Sequence, residues 1–449
     1  MPPLSSLVVN ATELDRRART YDGWVPPELV SLLIEHGHVD EVRVQAQGGD
    51  WYCARGWAQV LIERDQQDAA LAVLAPFVDA GWSKAARSVA DLLDGWGRGD
   101  EAIALLRPHA GDRLALPDLA KLLSRHDRTA EAFDLLYPHT KDWFLAQALV
   151  DVTAGTDRDE EVAHLLEAYV ADVHRFEAEP WNAEPSNAVD LLATVRERQG
   201  RIDEAIALLH TRHVGVVNNR DQLADLLVRH GRHDELREYV AGEGGEAAAY
   251  CLAELLEERG DVEGAVEVLR PLADGSPNAA FALAELLARH GRADEAIEVL
   301  RPVPRSMGGD PEWVVRKLGT LLADEGRLDE ALAFIDAFDG RSWELAYERA
   351  WLLSYCGRTD EAVTELRAHP EAATWYGAWL ISGLLADAGR LDEAIEVLRT
   401  GSDAGTNATA LAELLIRQGH VKDAMTALHQ RTTVVPSWTP PDLSENPPF

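Results

Sequence analysis

The sequence predicts an all-α fold, a solenoid of about thirteen helix-turn-helix repeats. Three observations lead to this fold class. A glycine or aspartate recurs about every 31 residues, small residues and leucines recur at fixed distances from it, and no segment shows the alternating pattern of a half-buried strand. Copies that stay in one register over nearly the whole chain predict an array of stacked helix pairs.

Each repeat contains one turn residue, taken as position 0 of that repeat. It is glycine in ten copies and aspartate in three, and most copies follow one another after 28 to 35 residues. Both residue types tolerate the left-handed backbone that ends a helix, so we expect them to separate a helix A from a helix B. The turn residues are Gly37, Asp65, Gly97, Asp127, Asp157, Gly200, Gly231, Gly260, Gly291, Gly326, Gly357, Gly389 and Gly419.

Acidic residues mark the predicted start of helix B. Position +3 is acidic in eleven copies, as in Asp203, Asp294 and Asp392. An aspartate there is expected to cap helix B and to meet the positive end of its dipole. We therefore interpret the recurrent Asp-Glu pairs as helix-start residues and not as acid–base catalysts.

Four columns predict the core. Leucine occupies position −4 in eleven copies, and a small residue occupies position −7 in eleven. Alanine occupies position +5 in ten copies, and leucine occupies position +9 in ten. Within each helix these positions are three or four residues apart and share one face, so the small residues let the helices approach and the leucines fill the space between pairs.

These columns carry a resemblance to a known family. The small residue and leucine of helix A, the glycine turn and the alanine of the Asp-Glu-Ala segment resemble the tetratricopeptide repeat from about Val25 to Gln430. Related short-repeat families such as Sel1-like arrays share this plan. The resemblance implies a right-handed superhelix with helix A on the concave side. The large aromatic is displaced to about position −14, and we interpret that set as structural: Trp51, Trp82, Trp143, Trp313, Trp343 and Trp375.

The predicted organisation has five parts. Residues 1–24 form an N-terminal cap or leader, 25–174 the N-terminal repeats, 175–187 an insertion loop, 188–430 the C-terminal repeats and 431–449 a proline-rich tail. The insertion is read as a surface loop, or alternatively as a kink between two arrays. The tail is expected to be extended or disordered, with Trp438 folding back as a cap or serving as a docking motif.

The amino-acid composition limits the classes of partner that the protein is expected to bind. The formal net charge is −34, from 77 acids and 43 bases, which disfavours nucleic acid and anionic membranes and favours basic partners. The chain has no stretch long enough for a membrane span and no signal-peptide pattern at its start. Three widely spaced cysteines, Cys53, Cys251 and Cys356, suit a reducing compartment, so we expect a cytoplasmic protein.

No motif for catalysis or nucleotide binding is recognisable. The phosphate-binding loops, the zinc-protease helix and the nucleophile elbow are all missing from the sequence. Histidines occur close together, for example His210 with His213 and His230 with His233, but neither pair has a third ligand nearby. We therefore expect no enzyme activity, no cofactor and no metal.

A candidate partner surface lies on helix A. Position −10 is aromatic in four of five consecutive copies, and position −6 carries acids or an aromatic. If helix A lines a groove, these columns suit an extended or helical peptide with apolar anchors and Arg or Lys; alternatively, the aromatics only pack against the next helix A. The predicted contact residues are Tyr250, Glu254, Phe281, Glu285, Arg316, Tyr347, Trp351 and Trp379.

The leading functional hypothesis is a non-catalytic scaffold that binds a protein or peptide in the concave groove. The sequence leaves two alternatives open. One is a ligand- or peptide-sensing regulator of a separately encoded effector, and the other is an enzyme with a site inside the superhelix. Tetratricopeptide domains that clamp a C-terminal carboxylate use Lys and Asn on these faces, whereas acids and aromatics stand here. That binding mode is therefore not expected.

Overall fold

The structure is a computed structural model that describes residues 10–171, 185–211, 221–242, 245–303, 312–337, 343–400 and 406–430. Within these ranges every regular element is helical, as predicted. A first helix, α1, spans Ala11–Thr20 in the segment expected to cap the array. Most of the predicted insertion at 175–187 and all of the tail at 431–449 lie outside the described residues.

Twenty-six further α-helices in the described ranges form thirteen successive A–B pairs, in agreement with the predicted repeat number. The even-numbered helices are the A helices. The pairs are α2 Pro27–Glu35 and α3 Val39–Gln47, α4 Trp51–Glu63 and α5 Gln67–Asp79, α6 Ser83–Gly95 and α7 Gly99–Leu106, α8 Ala115–Arg125 and α9 Thr129–Leu136, α10 Trp143–Val152 and α11 Asp159–Ala171, α12 Pro185–Arg198 and α13 Ile202–His210, α14 Gln222–Arg229 and α15 His233–Ala241, α16 Glu246–Glu258 and α17 Val262–Ala273, α18 Pro277–Arg289 and α19 Ala293–Leu300, α20 Glu312–Asp324 and α21 Leu328–Asp336, α22 Trp343–Tyr355 and α23 Thr359–Ala368, α24 Trp375–Asp387 and α25 Leu391–Thr400, and α26 Ala408–Arg417 and α27 Val421–His429.

The chain divides into two compact units. The central unit comprises residues 87–321, and the terminal unit combines residues 1–86 with residues 322–449. Within the terminal unit, α2 of the first pair packs against α26 of the last pair. The two ends of the sequence therefore share one compact unit.

Left-handed turn residues end the A helices at twelve of the thirteen predicted positions. Ten are glycines, and Asp65 and Asp127 adopt the same conformation with φ of 58°. Asp157 was predicted wrongly. In the fifth pair the left-handed residue is Gly155, with φ of 75°, so the helix ends two residues earlier than the register suggested.

The aspartate at position +3 does not cap helix B, contrary to the prediction. In α19 the N-cap is Arg292, whose side chain makes no capping bond, and Asp294 lies inside the first turn. Arg292 instead donates two hydrogen bonds to Glu295, at 2.6 and 2.7 Å. The acids at +3 and +4 still meet the positive end of the helix dipole, as expected, and the glutamate at +4 also pairs with the arginine at +1.

The predicted core columns are buried. Ala284 at position −7, Leu287 at −4, Ala296 at +5 and Leu300 at +9 of one repeat are all fully buried. Alanine at −7 and +5 permits close contact of A and B, and α18 and α19 pack along their whole length. Burial of leucine side chains of this kind stabilises the fold by about 1.5–3 kcal/mol each.

Candidate partner-binding surface

A cleft on the A helices of the central unit brings together several of the predicted contact residues. It has a volume of about 440 Å³ and is lined mainly by α14, α16 and α18. Four carboxylates border it, from Asp225, Glu254, Glu257 and Glu285, whereas Arg289 is its one basic lining residue. Because all four acids lie on A helices of adjacent pairs, the cleft offers a concentrated negative surface.

Two neutral side chains form part of the cleft lining. Tyr250 is half-buried, and its hydroxyl donates a hydrogen bond of 2.9 Å to Glu246. Burial, with this hydrogen bond as the second cause, raises the pKa of Tyr250. The Cys251 thiol donates to Asp225 across 3.6 Å, and burial raises the pKa of the thiol to about 12. Both groups therefore remain protonated at neutral pH, and Cys251 is a poor nucleophile.

Lys317 shows how this surface holds a cation. Its ammonium group donates to Glu285 at 3.0 Å and lies 5.3 Å from the ring centroid of Phe281. The edge of Trp313 approaches Phe281, with a centroid distance of 5.3 Å. A carboxylate and an aromatic face on adjacent helices thus share one cation, an arrangement that would also suit a lysine or arginine from a partner.

Glu254 and Glu257 differ in their pairing. Glu257 accepts from Arg289 at 2.8 Å and from His290 at 2.9 Å, and these hydrogen bonds, led by that of Arg289, lower its pKa. Glu254 is exposed and forms no ion pair with any described residue. Glu254 is therefore the carboxylate of this cleft that is most available to an external cation.

A second acidic cleft in the central unit was not predicted. It measures about 460 Å³ and contains Asp91, Asp118 and Asp151 beside Lys121 and Arg125. Burial raises the pKa of Asp91, and the nearby Asp118 charge acts in the same direction. The sequence contained a signal, because Asp91 occupies position −6, the position that holds Glu254 and Glu285 in later repeats, and Asp151 occupies it when counted from the predicted turn residue Asp157.

The predicted residues of the terminal unit lie among aromatic side chains. Trp351 stacks on Tyr355, with ring centroids 5.3 Å apart and planes 17° apart, and the Tyr355 hydroxyl donates to Asp324 at 2.7 Å. Tyr347 is half-buried. Trp379 is 45% exposed and stacks on Tyr376 at 5.9 Å. This surface presents ring faces where the central cleft presents carboxylates.

The predicted contact residues thus fall in both units. Tyr250, Glu254 and Glu285 line the central cleft, and Phe281 lies one turn from Glu285 on α18. Arg316 is exposed on α20, also in the central unit. The remaining residues of the prediction belong to the terminal unit: Tyr347, Trp351 and Trp379.

The structural interpretation of the tryptophans near position −14 is only partly correct. Trp51, Trp82 and Trp343 are buried, but Trp313 and Trp375 are 38% and 47% exposed. The same column therefore serves the core in some pairs and the surface in others.

The described ranges contain no group of three or more acidic, histidine or cysteine side chains arranged to hold a metal ion. No helix among them is long and apolar enough to cross a bilayer.

Comparison with known proteins supports the repeat assignment. Tetratricopeptide-repeat family models match residues 258–318 and 313–337. No curated protein matches the chain.

Two solved structures can be aligned with the chain. One is the structure of Naa15/Naa10 bound to HypK-THB, with 15% identity over 96% of this chain and 68% of that chain and a TM-score of 0.43. The other is the APC/C hetero-tetramer Cut9–Hcn1, with 14% identity over 87% of this chain and 88% of that chain and a TM-score of 0.25. At such low similarity, neither structure bears on function. The left-handed turns, the buried leucine and alanine columns and the two family matches identify the chain as an array of tetratricopeptide-like helix pairs.

Proposed function

We propose that this protein is a non-catalytic interaction scaffold that binds a basic segment of a protein partner on the A helices of its central unit. The observation that carries the proposal is the 440 Å³ cleft with its four carboxylates. An arginine or lysine entering it would meet Glu254, which has no ion-pair partner among the described residues. It would lie near Glu285 on the adjacent A helix, whose carboxylate already holds Lys317.

The aromatic residues beside the cleft supply the second element of recognition. Tyr250 lines the cleft, and Phe281 already carries the ammonium group of Lys317 over its ring. A partner with a cationic side chain next to an apolar one would satisfy both kinds of group. Tyr347, Trp351 and Trp379 remain predicted contact residues on the terminal unit.

A role without catalysis and a cytoplasmic location belong to the same proposal. Burial raises the pKa of Cys53, Cys251 and Cys356, which keeps these thiols protonated and unreactive at neutral pH. All three are unpaired, in keeping with a reducing compartment. The net charge of −34 favours a basic protein partner over nucleic acid or an anionic membrane.

The test is a charge-neutral, shape-conserving double variant, Glu254→Gln/Glu285→Gln. Partners retained from a lysate by the wild-type protein are mapped by cross-linking, and a synthetic peptide of the mapped segment is then titrated against both proteins. Loss of the charged hydrogen bond to Glu254, worth about 1.5–3 kcal/mol, predicts binding at least roughly tenfold weaker.

Glu258→Gln/Glu267→Gln is the matched control, because it removes the same charge from exposed residues of α16 and α17 that do not line the cleft. Helical circular dichroism verifies that each variant folds. If the control weakened binding equally, the loss would be due to the overall charge of the protein and not to the cleft. Unchanged binding by the cleft variant would refute the proposed site.

A further inference from the structure

Three aromatic side chains at the start of α24 are exposed to solvent. Trp375, Tyr376 and Trp379 expose 47%, 40% and 45% of their surface. The Tyr376 ring lies 5.7 Å from that of Trp375 and 5.9 Å from that of Trp379, measured between centroids. We call these three residues the α24 patch. Adjoining exposed rings are unusual on a soluble surface and mark a contact site.

The surface beside the patch is open. Gly383 follows Trp379 by four residues on the same face of α24, and apart from its chain neighbours and the adjacent backbone of α24 no described atom lies within 4 Å of the place where its Cβ would be. A side chain at this position would stand next to the Trp379 ring. Its absence leaves room for an extended chain to lie against the aromatic faces.

The chemistry of the patch fits a proline-rich segment. The rings carry no charge, and proline-rich segments dock on aromatic grooves because their left-handed extended helix is preformed and little entropy is lost on binding. Such a segment occurs in this chain after Gln430. Residues 431–449 contain five prolines, Trp438 and only three charged residues. The prolines are Pro436, Pro440, Pro441, Pro447 and Pro448.

The place where the described chain ends makes contact feasible. A short turn joins α26 to α27, so the two helices are antiparallel and Gln430 lies at the end of the pair where α26 begins. That end is tied to the patch, because the Asn407 side-chain amide donates to the carbonyl oxygen of Trp375 at 2.9 Å.

The segment after Gln430 is long enough to reach the patch. Packed helix axes are about 10 Å apart. The 19 residues from 431 to 449 would span roughly 60 Å as a polyproline II helix, at about 3.1 Å per residue. At this rise the six residues 431–436 would extend about 19 Å, roughly two helix spacings, which brings residues 436–441 within reach of the patch.

We propose that the proline-rich C-terminal segment docks on the α24 patch of its own chain. The inference does not rest on the proposed function of the central cleft. It adds a consequence for the terminal unit, because the docked segment covers Trp379, a predicted contact residue. A partner that uses this aromatic surface then has to displace the segment.

Hydroxyl-radical footprinting of the full chain tests the proposal at single residues. In the variant Pro436→Ser/Trp438→Ala/Pro440→Ser/Pro441→Ser the oxidation rates of Trp375, Tyr376 and Trp379 should rise severalfold relative to the wild type. Trp313, exposed to a similar extent in the central unit, should keep its rate. Added synthetic peptide 431–449 should restore protection in the variant.

Asp442→Asn/Glu445→Gln is the matched control for the segment, because it removes charge while keeping every proline and Trp438. It should leave the protection intact. Equal oxidation of the patch in the wild type and the four-residue variant would overturn the proposal. Loss of the protection of the patch on dilution would also overturn the proposal, because it would show that a second copy of the chain covers the patch. Neither result involves Glu254 or Glu285, so the cleft proposal is tested separately.

Discussion

The central and terminal units present opposite chemistry from equivalent repeat positions. Position −6 is glutamate in two central pairs, Glu254 and Glu285, whereas two pairs of the terminal unit have Trp351 and Gly383 there. Position −10 is a half-buried ring in the central pairs of α16 and α18, but in α24 it is Trp379, whose ring is 45% exposed. The central pairs therefore offer a carboxylate cleft, and the pair of α24 offers an aromatic face.

This difference shows how a helical repeat separates stability from recognition. Leu287 in the central unit and Leu353 in the terminal unit occupy the same core column, and both are fully buried. Their turn residues, Gly291 and Gly357, both adopt left-handed backbone. The core and the turns are constant, so the outer positions of helix A can vary without disturbing the fold.

The largest expected effect comes from removing one core leucine in each unit. Leu287→Ala and Leu353→Ala should each lower the free energy of unfolding by about 2–5 kcal/mol, because each leaves a cavity at a fully buried site. If the two units are also energetically distinct, hydrogen exchange should accelerate mainly in the unit that carries the substitution. A uniform acceleration of hydrogen exchange over both units would show that the two units unfold together.

A smaller, pH-dependent effect is expected from one carboxyl of the terminal unit. Burial raises the pKa of Asp50, the N-cap of α4, to about 6. A carboxyl whose pKa is higher in the folded state stabilises the fold when protonated, and that stability is lost as the pH rises from about 4 through about 6. The loss is roughly 1–3 kcal/mol.

Asp50→Asn should abolish this pH dependence, because the amide does not ionise, while its single oxygen can still accept the capping hydrogen bond from the Cys53 backbone N–H. Denaturation curves at pH 4 and pH 7 would measure the difference between variant and wild type. Hydrogen exchange in the central unit serves as the internal reference and should respond equally in both proteins. An identical pH dependence of the two proteins in the terminal unit would contradict the assignment.

The smallest effects concern the turns, and they should have opposite signs. Gly357→Ala in the terminal unit should cost about 1–2 kcal/mol, since no atom crowds the new Cβ and only the left-handed backbone is strained. Asp127→Gly in the central unit should stabilise by up to about 1 kcal/mol by relieving the same strain. Thermal unfolding gives both values, and two changes of the same sign would contradict a shared turn geometry.

Most of the fold was predictable because its determinants are local in sequence. Leucines, alanines and turn residues three to five positions apart act on their own helix and on the helix next to it. The errors have local causes too. Gly155 could replace Asp157 because both lie in the loop between α10 and α11, and only glycine takes the left-handed conformation there without cost. Arg292 was overlooked as an N-cap because arginine offers no capping oxygen.

The candidate site was less predictable. The pattern of position −6 indicated the glutamates of the central cleft, but it did not reveal that Asp225 and Glu257 complete the same lining. The solvent exposure of individual side chains was even harder to predict. Trp343 and Trp375 occupy the same repeat position, yet the first is 5% and the second 47% exposed.

The sequence by itself determined the helix pairs, the turns that separate them and the residues that fill the space between neighbouring helices. Only the tertiary structure decided that α2 packs against α26 and that Arg196 replaces a core leucine. Arg196 is 3% exposed and donates to Glu160 at 3.2 Å. The physical reason is the distance along the sequence between the residues that make contact. A repeat pattern records contacts between adjacent helices, whereas contacts between distant pairs and the pairing of a buried charge depend on which surfaces meet after the chain has folded.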